Sequence, residues 1–231
     1  MSQSFPAQLQ PRLQAIALCV PEGARLTDVG TDHGYLPLWL LREGRIASAI
    51  ATDIGALPLE HARRSAELAG VDLELRMCDG LAAVQPEETD CVVIAGMGGE
   101  TIIHILAAAP WTKDGAQLLL QCMTKAELLR SWLAENGYRI ESEQLVLDKG
   151  ILYPIIKASG GEMKPLGEAQ AWIGFAEASD PLYSDYRAER IAKLRWAMDG
   201  LGRSDSESAA ARRARIAALL KALEEGKEEQ G

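Results

Sequence analysis

Phenylalanine is nearly absent: Phe5 and Phe175 are the only two in 231 residues, so aliphatic side chains must fill most of any core. No run approaches the roughly 18 uncharged apolar residues of a membrane-spanning helix. The opening MSQSFPAQLQPR has neither the basic nor the apolar segment of a secretory signal, so a cytoplasmic protein with no membrane partner is expected. The four cysteines, Cys19, Cys78, Cys91 and Cys122, are scattered in apolar surroundings without a CxxC pair, which predicts buried reduced thiols. Three histidines, His33, His61 and His104, lie too far apart in sequence to predict a metal triad, and no metal is expected.

Excess positive charge is also missing. The formal balance is -9, which taken alone argues against a nucleic-acid partner and leaves no case for DNA. Its distribution alters that reading. Residues 1–160 hold 13 basic and 20 acidic side chains, a balance of -7, whereas Arg187 to Lys221 hold nine basic and four acidic, a balance of +5. A local basic stripe can contact phosphates while the chain as a whole stays acidic.

Hydrophobic periodicity supplies the fold class. In LQPRLQAIALCV, Leu9, Leu13, Ile16 and Ala17 share one helical face. Strand patterns ARLTDVG, IASAIATD, VDLELRMCDG, TDCVVIAGMGG and AQLLLQC then alternate with helix patterns GYLPLWLLREG, PLEHARRSAELAG, ETIIHILAAAP and KAELLRSWLAENG. Pro37 falls in the first turn of its helix, where a missing N–H costs little, and Gly70 and Gly137 mark helix stops. YRIESEQLVLDKG and ILYPIIKA read as an antiparallel hairpin turning at Asp148-Lys149-Gly150. The rhythm predicts a doubly wound α/β domain over residues 1–160. Residues 161–231 form a second region, in which 182–201 and 209–223 pair as an antiparallel helical hairpin and the tail EEGKEEQG frays.

Chemistry is concentrated at the carboxyl ends of the strand patterns, where open α/β sheets bind ligands. DVGTDHG puts Asp28 and Gly30 at the first such end; it is either a cofactor loop or a plain strand-to-helix turn. DxGxDxG is not the GxGxxG of a pyrophosphate site, and an acidic group there suits a cation better than a phosphate. Asp53 ends the second strand, where a carboxylate can accept both hydroxyls of a ribose, in a nicotinamide or another adenosine cofactor alike. Asp79-Gly80 ends the third, where a carboxylate could accept an adenine amino hydrogen. Singly each aspartate could cap a turn, but together they match the amine, ribose and base of S-adenosylmethionine.

DVGTDHGYLP, ATD, CDGL and AGMGG resemble the motifs of the bacterial tRNA adenine-22 N1-methyltransferase family, and the resemblance extends from PRLQAIA to the terminal helical pair. It implies a class I, Rossmann-like seven-stranded methyltransferase sheet with a small C-terminal helical domain. It also implies methyl transfer from S-adenosyl-L-methionine to N1 of adenine 22 in tRNA. Carried over by motif, Asp28 and Gly30 would hold the methionine portion, Asp53 the ribose, and Asp79 and Gly80 the adenine, while Ala95, Gly96, Met97, Gly98 and Gly99 would line the methyl-transfer cleft. Two departures stand out: aspartate rather than glutamate at position 53, and Gln121-Cys122-Met123 where the family often has QPN, so only Gln121 carries over, as a substrate contact.

Adenine N1 has a free lone pair in the neutral base, so alignment and electrostatics matter more than a strong general base. Asp32 could favour the positive charge that develops on the base, and Tyr35 could face or hydrogen-bond it. His33 is either a loop-shaping residue or a substrate contact, and Arg12 either a lid over the mouth or a solvated cation. Arg212, Arg213 and Arg215 are the candidate tRNA contacts on the terminal helices. Alternatives are a small-molecule methyltransferase with the helices as a lid, a nicotinamide enzyme, and an oligomerisation module; the broken apolar face of the terminal helices favours a monomer or weak dimer.

Overall fold

Alternation within single strands decides how the layers assemble. In β4 (Cys91–Gly98), Cys91 and Val93 face one side while Val92 and Ile94 face the other, all fully buried. In β5 (Gln117–Thr124), Leu119 faces the first side and Leu118 and Leu120 the second, again without exposure. Such strands need cover on both faces and belong at the centre of a parallel sheet. The computed structural model, described for residues 8–202 and 206–225, places them there.

β1 (Ala24–Val29), β2 (Ile46–Asp53) and β3 (Glu74–Met77) join β4 and β5 in parallel, and the sheet order is β3-β2-β1-β4-β5-β7-β6. β6 (Tyr138–Asp148) and β7 (Ile151–Gly160) form the expected hairpin, with β7 antiparallel to β5. Lys149 and Gly150 both take left-handed backbone angles (φ 51° and 78°), the requirement of a two-residue turn whose twist matches its strands. α1 (Pro11–Cys19), α2 (Tyr35–Arg42) and α3 (Ala56–Ala69) cover one face; Ile16, Leu36, Leu38 and Leu40 pack there with Val93 and Leu119. α4 (Gly99–Ala108) and α5 (Ala126–Glu135) cover the other through Ile102, Leu106, Leu129 and Leu133.

β3 is shorter than its sequence pattern, at four residues on the sheet edge. AGMGG is not a free loop: β4 runs through Gly98, with pairing irregularities on either side of Met97 and φ 77° at Gly96, and α4 starts at Gly99. Of the thiols, Cys91 and Cys122 are buried, and desolvation pushes them up to about 12 and about 11; Cys19 and Cys78 are only partly buried, and all four are free.

Beyond β7 the chain crosses back over the sheet face and forms a short helix that the apolar pattern does not announce, α6 (Glu168–Ile173). α7 (Tyr183–Leu201) and α8 (Glu207–Glu224) pack as a pair: Arg213 donates to the Leu201 carbonyl at one end, and Arg195 meets Glu224 at the other. Ile173, Leu194, Ile216, Leu219, Leu220 and Leu223 give these helices a small core of their own. A fully buried Arg130 joins them to the sheet, donating to both Glu143 oxygens (2.7 and 2.9 Å), the Ala171 carbonyl (2.7 Å) and the Tyr186 hydroxyl (3.1 Å). Gly174 passes so close to Glu143 and Arg130 that no Cβ would fit. Residues 203–205 of the interhelical link and the tail beyond Glu225 lie outside the described residues. Among the described residues, no helix is long and apolar enough to cross a membrane.

Candidate active site

β1 ends by turning under its neighbour. Gly30 (φ 72°) lets the chain bend so that its N–H and that of Thr31 both reach the Thr52 carbonyl, at 2.8 and 3.2 Å. The Met97 side chain occupies the space a Cβ on Gly30 would need, so the β1 turn and the β4 end are in contact. Gly34 (φ 68°) precedes α2 and itself packs against Leu73 and Ala62.

Within this turn Asp28 is 7% exposed. Its Oδ2 accepts the Thr31 hydroxyl at 2.6 Å, yet burial pushes the carboxyl up to about 6; the Thr31 bond works against that rise and the nearby Asp53 adds to it. A desolvated carboxylate without a cation is costly, and a bound cation would offset the cost. Asp28 lines a cavity of about 460 Å³ that also holds Arg12, Gly30, Asp32, His33, Tyr35, Ala95 and Gly96. Eight of the residues singled out from sequence therefore meet in one place.

The remaining candidates surround that cavity or lie away from it. At the next strand end, Asp53 Oδ1 accepts the Gly55 N–H (2.8 Å), which orients the carboxylate and leaves Oδ2 as the first acceptor for a hydroxyl pair. Met77 pairs with Asp53 across the strands, and the Cys78 N–H binds the Asp53 carbonyl, so the second and third strand ends adjoin. Ile54 and Met77 are 73% and 66% exposed there, apolar surface suited to covering a flat ring; sequence inspection passed over Ile54. Asp79 is exposed, and Gly80 (φ 54°) is tight against Ile105 of α4 while its carbonyl accepts the Thr52 hydroxyl.

Gln121 is completely buried and sits behind the cavity. Its Oε1 accepts both the Gly96 N–H (3.0 Å) and Arg12 Nη1 (2.6 Å), and its amide donates to the Cys122 carbonyl. One carboxamide thus fixes the β4 end and anchors Arg12. Asp148 helps hold that guanidinium, with Nε to Oδ2 at 3.7 Å. Gly98 lies beside Thr124, and Gly99 is buried against the Lys125 carbonyl, where it permits close approach rather than access. Arg212, Arg213 and Arg215 lie far along the chain on α8 and do different things: Arg213 caps Leu201, Arg215 pairs with Glu168 at 2.9 Å, and Arg212 is exposed.

The histidines are closer than their sequence separation implied. His33 stacks on Tyr35 (centroids 5.1 Å, planes 7° apart) and also on His61 of α3 (4.7 Å, 6°). Asp32 sits beside them in a left-handed conformation uncommon for a non-glycine residue (φ 50°), its Oδ2 3.8 Å from His33 Nε2. Ligand atoms of Asp32, His33 and His61 lie within 4.8 Å of one another. Parallel imidazoles present ring faces to each other, however, and their in-plane lone pairs do not converge on one ion. The arrangement is an aromatic ladder that stiffens the DHGY loop. Only the placement of His61 on the helix facing this loop identifies it, which sequence spacing does not reveal.

Known proteins share this fold. Residues 9–156 match the family described as Methyltransferase domain. The tRNA (adenine(22)-N(1))-methyltransferase of Bacillus subtilis is 35% identical over 158 residues, 67% of this chain and 66% of that protein, so the sequence match spans just under two thirds of the relative's length. A structure of a Streptococcus pneumoniae protein assigned as a candidate tRNA (m1A22) methyltransferase superposes with a TM-score of 0.83 at 30% identity, over 94% of this chain and 99% of that one. The same Streptococcus protein in complex with S-adenosyl-L-methionine gives 0.81 at 28% identity, over 94% and 99%. With a family match over most of the chain and a superposition over nearly all of it, the chain belongs to the methyltransferase-domain family and, within it, to the bacterial tRNA (adenine-22-N1)-methyltransferases.

Proposed function

We propose that this protein transfers a methyl group from S-adenosyl-L-methionine to N1 of adenine 22 in tRNA. The observation that carries the reading is Asp28, a buried carboxylate held near a pKa of about 6 at the β1 turn, beneath the Asp32-His33-Gly34-Tyr35 loop. The residues present fit the cofactor. Asp28 would take the ammonium group, Gly30 would allow close backbone approach, Asp53 Oδ2 would take the ribose hydroxyls, and Ile54 and Met77 would cover the adenine edge beside Asp79. When bound, the cofactor supplies an electrophilic methyl group.

The protein's own task is then alignment. Gln121 holds Gly96, and Met97 with its flanking glycines leaves a flat apolar space for the target base. Tyr35, stiffened by the ladder, would orient that base, and Asp32 would stabilise the cationic product by through-space attraction. Arg12, anchored by Gln121 and Asp148 at the mouth, supplies a fixed cation for a phosphate or the base edge. No proton has to leave before N1 attacks. In this reading residues 1–160 carry the chemistry and residues 161–231 contribute to holding the RNA, with the protein acting as a monomer or weak dimer in the cytoplasm.

The test is incubation with labelled S-adenosylmethionine and unmodified tRNA, followed by nucleoside mass spectrometry and site mapping. N1-methyladenosine at position 22 is the expected product. Methylation of free small molecules alone would select the competing reading, in which the helices serve as a lid.

A further inference from the structure

A second cavity, of about 610 Å³, opens between α5, α6, α7 and α8, away from the strand-end pocket. Its size falls within the ~300–1,000 Å³ range of sites that seat small ligands. Trp196 lines it and is 79% exposed, more than any other large apolar side chain among the described residues. Trp172 lines it too, with the Lys193 ammonium 5.9 Å from its ring centroid. Lys125, Lys193, Arg212 and Arg215 bring four cations to the walls against the carboxylates of Glu127 and Glu168. In a chain of net charge -9 this is a locally basic, indole-lined cleft.

Resting on the proposed RNA substrate, we infer that this cleft seats an unpaired nucleotide of the bound RNA: the base stacks on Trp196, and the adjoining phosphates meet Lys193, Arg212 and Arg215. Charge selects the partner. An apolar peptide would leave Lys193 and Arg212 without an anion, and an acidic peptide would not need an open indole face, whereas a nucleotide supplies both an anionic backbone and a stacking plane. The Arg215–Glu168 pair is solvent-exposed, so its guanidinium can exchange toward a phosphate at little cost. The cleft is also continuous with the catalytic edge. Lys125 on its wall immediately follows β5, its carbonyl packs on Gly99, and its ammonium pairs with Glu100 at the start of α4. An RNA whose target base enters beside Met97 would pass Lys125 on its way to the indole.

The experiment measures binding of unmodified tRNA to the full chain by filter retention at several salt concentrations, with cofactor titration of the same proteins. Trp196→Ala should weaken RNA binding between about 5-fold and about 100-fold while leaving its salt dependence unchanged, and Trp196→Phe should recover most of the loss. Arg212→Gln should reduce the slope of log affinity against log salt by about 0.7 to 0.9. Cofactor affinity should not move. Unchanged RNA affinity in Trp196→Ala, or an unchanged salt slope in Arg212→Gln, overturns the inference, as does a finding that Trp196→Ala acts by dissociating a dimer of this chain. Failure of the wild-type protein to bind or methylate tRNA would instead defeat the proposed function, so the two failures are distinguishable.

Discussion

Replacing Asp28 by asparagine should make the protein more stable while removing its ability to hold a cationic ligand. The carboxyl ordinarily titrates at 3.8 and is raised to about 6 in the folded chain, with burial as the main cause. At about 1.4 kcal/mol per tenfold change in proton affinity, that difference represents about 3 kcal/mol of folding free energy. The sign follows from proton counts. Between pH 3.8 and about 6 the unfolded chain has already released the proton that the folded chain retains, so stability from this group falls as pH rises, and the full penalty applies above about 6. Asparagine keeps an acceptor for Thr31 and has no charge to desolvate. Asp28→Asn should therefore melt about 6 to 12 °C higher than the wild type at pH 8, with the gap closing toward pH 4. Scanning calorimetry of both proteins across that range measures it. In parallel, cofactor affinity of the wild type should fall about tenfold per pH unit below the unoccupied site's pKa of about 6, until the occupied site itself takes up the proton, and that of the variant should be weak throughout. A variant that is no more stable at pH 8, or a gap that does not depend on pH, would refute the claim that Asp28 is a charge kept in place for a cation.

Other perturbations separate positioning from contact. Gln121→Leu removes the acceptor shared by Gly96 and Arg12; stopped-flow turnover should drop by at least about tenfold, because an unsatisfied buried N–H costs about 1–3 kcal/mol and Arg12 loses its anchor. His61→Ala should lower kcat about 2- to 10-fold with cofactor affinity unchanged, and His61→Phe should restore it, since stacking rather than titration is what His33 requires. Arg130→Met should cost about 3–5 kcal/mol in urea unfolding by leaving Glu143 buried and unpaired, and much of this should return in Arg130→Met/Glu143→Leu.

The strands and helices of the α/β layer were legible because each carries its own period. Cys91 to Ile94 and Leu118 to Leu120 are continuous apolar runs, and the Lys149-Gly150 turn announces its hairpin. The Asp28, Gly30, Asp32, Tyr35 and Gly96 grouping was legible as well, since motif residues at successive strand ends must converge wherever the strands are parallel neighbours. What sequence did not disclose depends on contacts between distant segments. The motif position of Gln121 was visible, while the direction of its side chain, toward Gly96 and Arg12, was not. His61 stood in an ordinary helix pattern until α3 brought it against His33. α6 is six residues long, too short to display a helical repeat.

Arg130 shows how such a hidden contact bears on function. In KAELLRSWLAENG it occupies what would be a polar position of an amphipathic helix, and solvent is the natural expectation. Yet its guanidinium is fully buried and fills its donors with partners from β6, α6 and α7, while Gly174 supplies the gap through which the chain passes. An ion pair of this kind is weak grounds for added stability, because hydrophobic replacement can serve as well. Its directional bonds specify geometry instead: they fix where α6 and α7 sit relative to α5, and hence where Trp172 and Trp196 stand relative to Lys125 and the end of β4. Under the proposed function, two contacts must stay in register, one at the reacting base and one at a distance. The buried arginine is placed to hold that spacing, so the double replacement Arg130→Met/Glu143→Leu should recover folding stability more completely than it recovers RNA affinity.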